Sequence, residues 1–503
     1  MLQVDRLFSD HMVLQREKRI RIWGTCSDDS PVCVELAGNC INAERVGEKW
    51  MAVFPPMEAK EGLTLSIRCG VDNIQITDIS IGEVWIAAGQ SNMEFYMRYD
   101  ADCEKEKKEC QNSSIRFFDV PEICYPGQEK EYDFSRMGVW RKCTVEDLDY
   151  FSAVAYYFAK KICRDLHVPV GIIGCNRGAS TAAAWMSREA LKEHGKVWLD
   201  EYGDVEEAGE EFQTFRKSPA ADAGNPFGDP IQEELLYGIS HEKQEEIIKS
   251  MPEEMKNLKP PFNNRPGCLY EMMLKQIIPC SVRGILWYQG ESDVEHAKEY
   301  REIFRDLIRF WRTQWKEELP FCCVQLAPFE EWLGCEGEKF PIIRQAQKDV
   351  ADEEKNVYLI STSDAGMRYD IHPKKKRPIG ERLALCAQKH VYGMQLLADA
   401  PVISKAFVSG GNIIVEFAGD GEKLEILGDE IQDLKMLKKV SGEKWEPFCE
   451  EGKIYTEGKK LIIPINIEVA NDRFRLEFAQ SGYYKVNLYN EAGIPAMPFS
   501  ISI

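Results

Sequence analysis

The chain has 503 residues, 44% of them hydrophobic and 29% charged, an ordinary globular composition on a chain too long for one core, so two or three domains are expected. With 63 Lys and Arg against 83 Asp and Glu, the formal net charge is -20. Such a surface repels phosphate backbones and excludes nucleic acid as a natural partner, and an acidic small ligand would need a local cation. The first residues, MLQVDRLFSDHMVLQREKRI, lack the apolar core of a signal peptide. No stretch nears the roughly 20 apolar residues of a membrane span. The 17 cysteines lie scattered, without zinc-ligand or CxxC spacing. A cytoplasmic protein with reduced thiols, no membrane contact and no metal is expected.

In chain order, residues 1–80 read as a small β domain: Arg19–Gly24 and Val32–Leu36 alternate apolar and polar residues between Gly- and Asp-rich turns. From 81 to 398 the pattern becomes strands alternating with helices. The apolar runs 82–88 (GEVWIAA), 168–174 (VPVGIIG), 284–288 (GILWY), 321–325 and 357–361 predict buried strands. Residues 152–166 carry Val154, Tyr157, Phe158 and Ile162 at helical spacing; residues 300–315 carry Phe304, Leu307, Ile308 and Trp311; residues 378–390 predict a closing helix. This rhythm implies a parallel sheet covered on both faces. Residues 197–262, acidic and punctuated by Gly and Pro, read as an insertion near the rim of the site. Residues 399–503 return to β alternation, as in Ile413–Phe417 and Phe474–Phe478, and predict a C-terminal β domain.

In an open α/β sheet ligands bind at the carboxyl ends of the strands, and four segments fall there. Gly89-Gln90-Ser91-Asn92-Met93 places a serine on a strand-to-helix turn, where it is either a helix cap or a nucleophile whose own N–H faces an oxyanion. Asn176-Arg177-Gly178-Ala179-Ser180 offers the Gly178 N–H to an anion. Trp287-Tyr288-Gln289-Gly290-Glu291-Ser292-Asp293 offers the Gln289 amide; Glu291 and Asp293 read as second partners, helix-start acids or metal ligands, the last disfavoured because no histidine accompanies them at ligand spacing. Tyr369-Asp370-Ile371-His372-Pro373 offers a base with a neighbouring carboxylate. The run Lys374-Lys375-Lys376-Arg377 that follows reads as a solvated basic face.

At these four segments the chain resembles the SGNH hydrolases, and within them the sialate O-acetylesterases and related carbohydrate acetylesterases. GQSNM, WYQGES and DIHP followed by Lys376, Gly380, Arg382, Leu383 and Ala384 carry the likeness. Phe8–Gln15 near the start, with Asn487–Asn490 and Ile494–Ala496 near the end, extend it over nearly the whole chain. The resemblance implies an α/β fold, a three-layer flavodoxin-like parallel sheet of the SGNH type with flanking β-sandwich domains. It implies a cofactor-free serine esterase acting on O-acetylated sugars, with 9-O-acetyl sialic acid as the first expectation. Ser91 is then the nucleophile, His372 the base and Asp370 its partner. Ser91, Gly178 and Gln289 form the oxyanion hole, and Gln90, Asn92 and Arg177 contact the substrate, Arg177 as cation for an acidic sugar. Three positions depart from the family pattern. Tyr369 stands where the wider class has the triad aspartate, leaving open Asp370 as third member or a Ser–His dyad. Gly178-Ala179-Ser180 replaces Gly-Gly-Thr, and Glu271 replaces an asparagine. A plant-glycan acetylesterase and a non-catalytic carbohydrate-binding module are the alternatives.

Overall fold

The computed structural model describes residues 1–130, 133–202, 240–250, 265–441, 444–450, 452–465 and 473–503. The central sheet is built from β1 (Asp72–Gly89), β2 (Asn112–Asp119), β3 (Val170–Asn176), β4 (Gly284–Tyr288), β5 (Phe321–Val324) and β6 (Val357–Ile360). They run parallel in the order β2-β3-β1-β4-β5-β6. The strand Trp140–Cys143 lies antiparallel on the outer edge of β2. Within this sheet β3-β1-β4-β5-β6 follow the doubly wound 2-1-3-4-5 order, whose ligand crevice opens beside the first strand. Every residue of β3 and β4 is buried, as a sheet covered on both faces requires.

The helices that bear on the site are α1 (Ser91–Glu94), α2 (Ala153–Leu166), α3 (His241–Ser250), α4 (Tyr300–Trp315), α5 (Phe340–Glu353) and α6 (Arg377–His390). The Ser152 hydroxyl caps α2 by accepting the Ala155 N–H. Phe304, Leu307, Ile308 and Trp311 form the buried face of α4, as their spacing predicts. α2 packs on α6, and α4 packs on α5.

β2 and α5 go unpredicted by hydrophobic pattern, and the reason is the same for both. Arg116 on β2 is 1% exposed, and Arg344 and Gln347 on α5 are 2% and 1% exposed, so polar groups stand where the pattern asks for apolar ones. Each is satisfied internally. Arg116 donates to the carbonyl of His11, and Gln347 donates to the carbonyl of Gln289 and accepts the Leu326 N–H.

The N-terminal β strands form two antiparallel groups. In one, Leu2–Val4, Ile20–Cys26, Lys49–Phe54 and Glu44–Val46 pair in sequence. In the other, Val32–Leu36 pairs with Asn39–Asn42 and Lys60–Cys69, and the latter pairs with the first half of β1. Residue 80, where a boundary is expected, therefore lies inside β1, an 18-residue strand common to both units. The N-terminal apolar residues belong to the same contiguous core as the central sheet. Among the described residues, the strands after residue 400 build two four-stranded antiparallel sheets and a two-stranded one of Leu424–Ile426 and Leu488–Asn490 around a separate core that includes Ile413, Val415, Phe474 and Phe478. Arg344 ties this unit to the central sheet by donating to the carbonyls of Ser481 and Gly482 on one side and of Leu326 and Ala327 on the other.

Most of the insertion expected at 197–262 lies outside the described residues. Its described helix α3 reaches the loop before His372, where Gln244 donates to the Tyr369 carbonyl.

Candidate active site

Three adjacent strands end abreast. Asn176 of β3 and Tyr288 of β4 both pair with Gly89 at the end of β1, so the segments that follow them emerge at one edge of the sheet. Gly89 has φ +134, and a Cβ there would meet the Tyr288 carbonyl oxygen at 2.1 Å, so only glycine lets the chain turn this close to β4. Ser91 then opens α1, and its N–H is among those with no acceptor inside the helix.

The loop after β6 brings His372 to this turn. His372 Nε2 lies 2.9 Å from Ser91 Oγ, and the histidine is 3% exposed. Loss of hydration holds the imidazole below its ordinary pKa; the Asp370 charge opposes this, and Lys376 and Lys374 reinforce it. Asp370 Oδ1 accepts the His372 backbone N–H at 2.8 Å and stands 3.7 Å from Nδ1, beyond hydrogen-bond range. Its other oxygen pairs with Lys374 Nζ at 2.7 Å. Burial raises the Asp370 carboxyl, but His372 and Lys374 outweigh it and leave it below the usual value, so it stays ionised.

Gly178 also arrives beside the serine. A Cβ built on it would lie 3.6 Å from the Ser91 Cβ. Its N–H, however, donates to the carboxylate of Glu94, one turn along α1 from Ser91. Loss of hydration raises the Glu94 carboxyl, against Arg177 and this same amide. Glu94 is a site residue that no motif announces. Ala179, where the family pattern has glycine, holds φ +54, the left-handed region that glycine enters freely.

The other expected contacts need correction, because their side chains turn into the protein. Gln289 is fully buried, and its amide donates to the Ser180 carbonyl at 3.1 Å and to Asp293. Both amide hydrogens are engaged within the protein, as the Gly178 N–H is with Glu94. Gln90 accepts the N–H groups of Gly290 and Ser292, each at 3.2 Å, which ties the serine turn to the loop after β4. Asn92 donates to Glu291 at 2.6 Å and to the Ile371 carbonyl at 3.0 Å, and its oxygen accepts from Lys376. Arg177 directs its guanidinium at Glu122, 3.2 Å away, and is 9% exposed, so it points into the protein beside a carboxyl that burial pushes well above its usual value.

The basic run is not a solvated face either. Lys376 is fully buried, Lys374 pairs with Asp370, Arg377 pairs with Asp102 and Glu106, and Lys375 is exposed. Burial brings the Lys376 ammonium down to about 7, against the charge of Glu291.

The arrangement provides a hydroxyl in contact with a buried, neutral-leaning imidazole, at a helix N-terminus that favours developing negative charge. Comparison with known proteins agrees with ester chemistry. A family model described as carbohydrate esterase, sialic acid-specific acetylesterase matches residues 255–389. The sialate O-acetylesterase of Mus musculus is 25% identical over 456 residues, covering 82% of this chain and 78% of that protein. The Homo sapiens sialate O-acetylesterase is 23% identical over 437 residues, covering 79% and 72%. A carbohydrate acetylesterase from Xanthomonas citri superposes with a TM-score of 0.75 at 25% identity, covering 99% of each chain.

Proposed function

From a chain that resembles the sialate O-acetylesterases, and with them the carboxylic ester hydrolases, we propose a serine esterase of the SGNH type that removes acetyl groups from sugars by two-step acyl transfer. The observation that carries this reading is the 2.9 Å contact between Ser91 Oγ and His372 Nε2 at the meeting point of three strand ends. His372 takes the serine proton as Ser91 attacks the acetyl carbonyl. The Ser91 N–H at the start of α1 faces the developing oxyanion, joined by the Gly178 N–H as Glu94 releases it. His372 returns the proton to the departing sugar oxygen, and water, activated in the same way, frees acetate from Ser91.

The preferred substrate is an O-acetyl ester of sialic acid, 9-O-acetyl first, in keeping with what the curated relatives are named for. The Arg177–Glu122 pair favours a second reading, a neutral acetylated glycan such as acetylxylan, since the cation expected for a sugar carboxylate is engaged elsewhere. Acetate release from 9-O-acetyl sialic acid and from acetylated xylo-oligosaccharides decides between them. Release from the first alone supports the sialate reading, release from the second alone replaces the sugar, and release from neither overturns the acetylesterase.

The same assay carries a pH prediction. The base acts as neutral imidazole, and burial disfavours the imidazolium. The acid limb of kcat/KM therefore falls below the ordinary histidine value of about 6.5. An acid limb above 7 contradicts His372 as the titrating base.

A further inference from the structure

We propose that Trp332 is the sugar-ring platform of this site, an indole that receives the apolar C–H face of the pyranose whose ester lies at Ser91. The inference rests on the acetylesterase reading and deepens it. The leaving oxygen takes its proton from His372 Nε2, so it must come within roughly 3 Å of that atom. The sugar ring attached to it then lies on the His372 side of Ser91. There the Trp332 and His372 rings meet at right angles with centroids 5.1 Å apart. The indole is half-buried, whereas the histidine is buried, so part of the tryptophan surface remains open to solvent beside the base. An amphipathic ring with two torsions is the side chain that binds an apolar sugar face at low entropic cost.

The backbone around Trp332 is built to hold it. Glu331–Trp332 and Cys335–Glu336 form a hairpin closed by the two residues Leu333 and Gly334, whose φ values are +46 and +82. Two positive φ values are the signature of a type I′ turn. Leucine is a poor residue for it, and strain of this kind persists where the surroundings enforce it, often at binding sites. Here Gln244 of α3 enforces it. Its side-chain oxygen accepts the Leu333 N–H at 3.3 Å while its nitrogen donates to the Tyr369 carbonyl at 3.1 Å. One amide thus joins the insertion helix, the hairpin and the loop that carries His372. The N–H groups of Glu330 and Glu331 add two bonds to the Arg368 carbonyl.

Kinetics on two esters test this, using an acetylated sugar that the wild type hydrolyses and ethyl acetate, whose leaving group has no ring. Trp332→Ala is expected to raise KM for the sugar ester roughly tenfold with kcat little changed, and to leave kcat/KM for ethyl acetate as in wild type. Trp332→Phe should restore much of the loss, and Gln244→Ala should raise KM in the same direction by less. Equal losses on both esters would show that Trp332 only props His372, and no loss on either would remove it from the site; both overturn the platform. An unchanged KM in Gln244→Ala overturns the role given to that amide. A wild type that cleaves ethyl acetate but no acetylated sugar sinks the sugar-esterase reading instead, before any variant is compared.

Discussion

Ser91→Ala is expected to lower kcat for acetate release by a factor on the order of 10,000 to 1,000,000 while leaving the fold intact. The loss is large because the nucleophile has no deputy. Gln90 and Asn92, its neighbours, spend their side chains on the backbone of Gly290 and Ser292 and on Glu291, Ile371 and Lys376, and neither carries a nucleophilic atom. The fold survives because the serine hydroxyl contacts His372 from a half-buried position, and alanine is a good helix residue. The decisive measurement is the pair Ser91→Ala and His372→Ala with their double variant. Groups that act as one unit are strongly non-additive, so the double variant should be little worse than either single one. Losses that multiply, or a Ser91→Ala variant within tenfold of wild type, would falsify the Ser–His unit.

Lys376→Met is expected to act on stability first and on catalysis through it. The ammonium is fully buried, donates to Asn92, and stands 4.4 Å from the Phe95 ring centre. Asn92 passes the interaction on to the buried Glu291 and to the Ile371 carbonyl, immediately before His372. Removing the ammonium leaves the buried Asn92 oxygen without its donor and Glu291 without the nearby cation, at a cost of about 1–3 kcal/mol. Without Lys376 the Asn92 oxygen loses its donor; an Asn92 that then shifts loosens its bond to the Ile371 carbonyl and lets the histidine loop drift, and a displacement of about 1 Å at reacting groups can cost about 100-fold in rate. The expected result is a lower unfolding temperature together with a reduced kcat. Adding Glu291→Gln to the same protein should recover part of the stability, because it removes the stranded charge. A Lys376→Met protein as stable and as active as wild type would mean that this ammonium supports neither the fold nor the loop.

What the sequence makes legible follows from which way side chains point. The runs that became β3 and β4 are apolar at nearly every position because both of their faces are covered, and they read as buried strands without ambiguity. The stripe on α4 reads equally well. The four motif segments are legible as strand ends, and the structure gathers Ser91, Gly178 and His372 from three of them. Spacing places a residue at a strand end, but it does not say whether the side chain faces the cleft or the interior. Gln289, Asn92 and Arg177 occupy the expected positions and face inward, each satisfied by a partner distant in sequence: Ser180, Ile371 and Glu122. Lys376 is hidden for the opposite reason. Within a run of basic residues nothing local distinguishes the one that is buried from Lys375, which is exposed. Trp332 and Gln244 belong to no motif, since their roles arise from a hairpin and a helix brought together by the fold.

The strand that ends at the nucleophile begins in the N-terminal β unit, and it has no linker anywhere along its 18 residues. Many hydrolytic enzymes close over their substrates by swinging one module against another about a short hinge. At this junction no hinge exists: the two units share main-chain hydrogen bonds on both sides of residue 80 and one continuous core. The N-terminal β unit is therefore continuous, through one strand and one core, with the turn that carries Ser91.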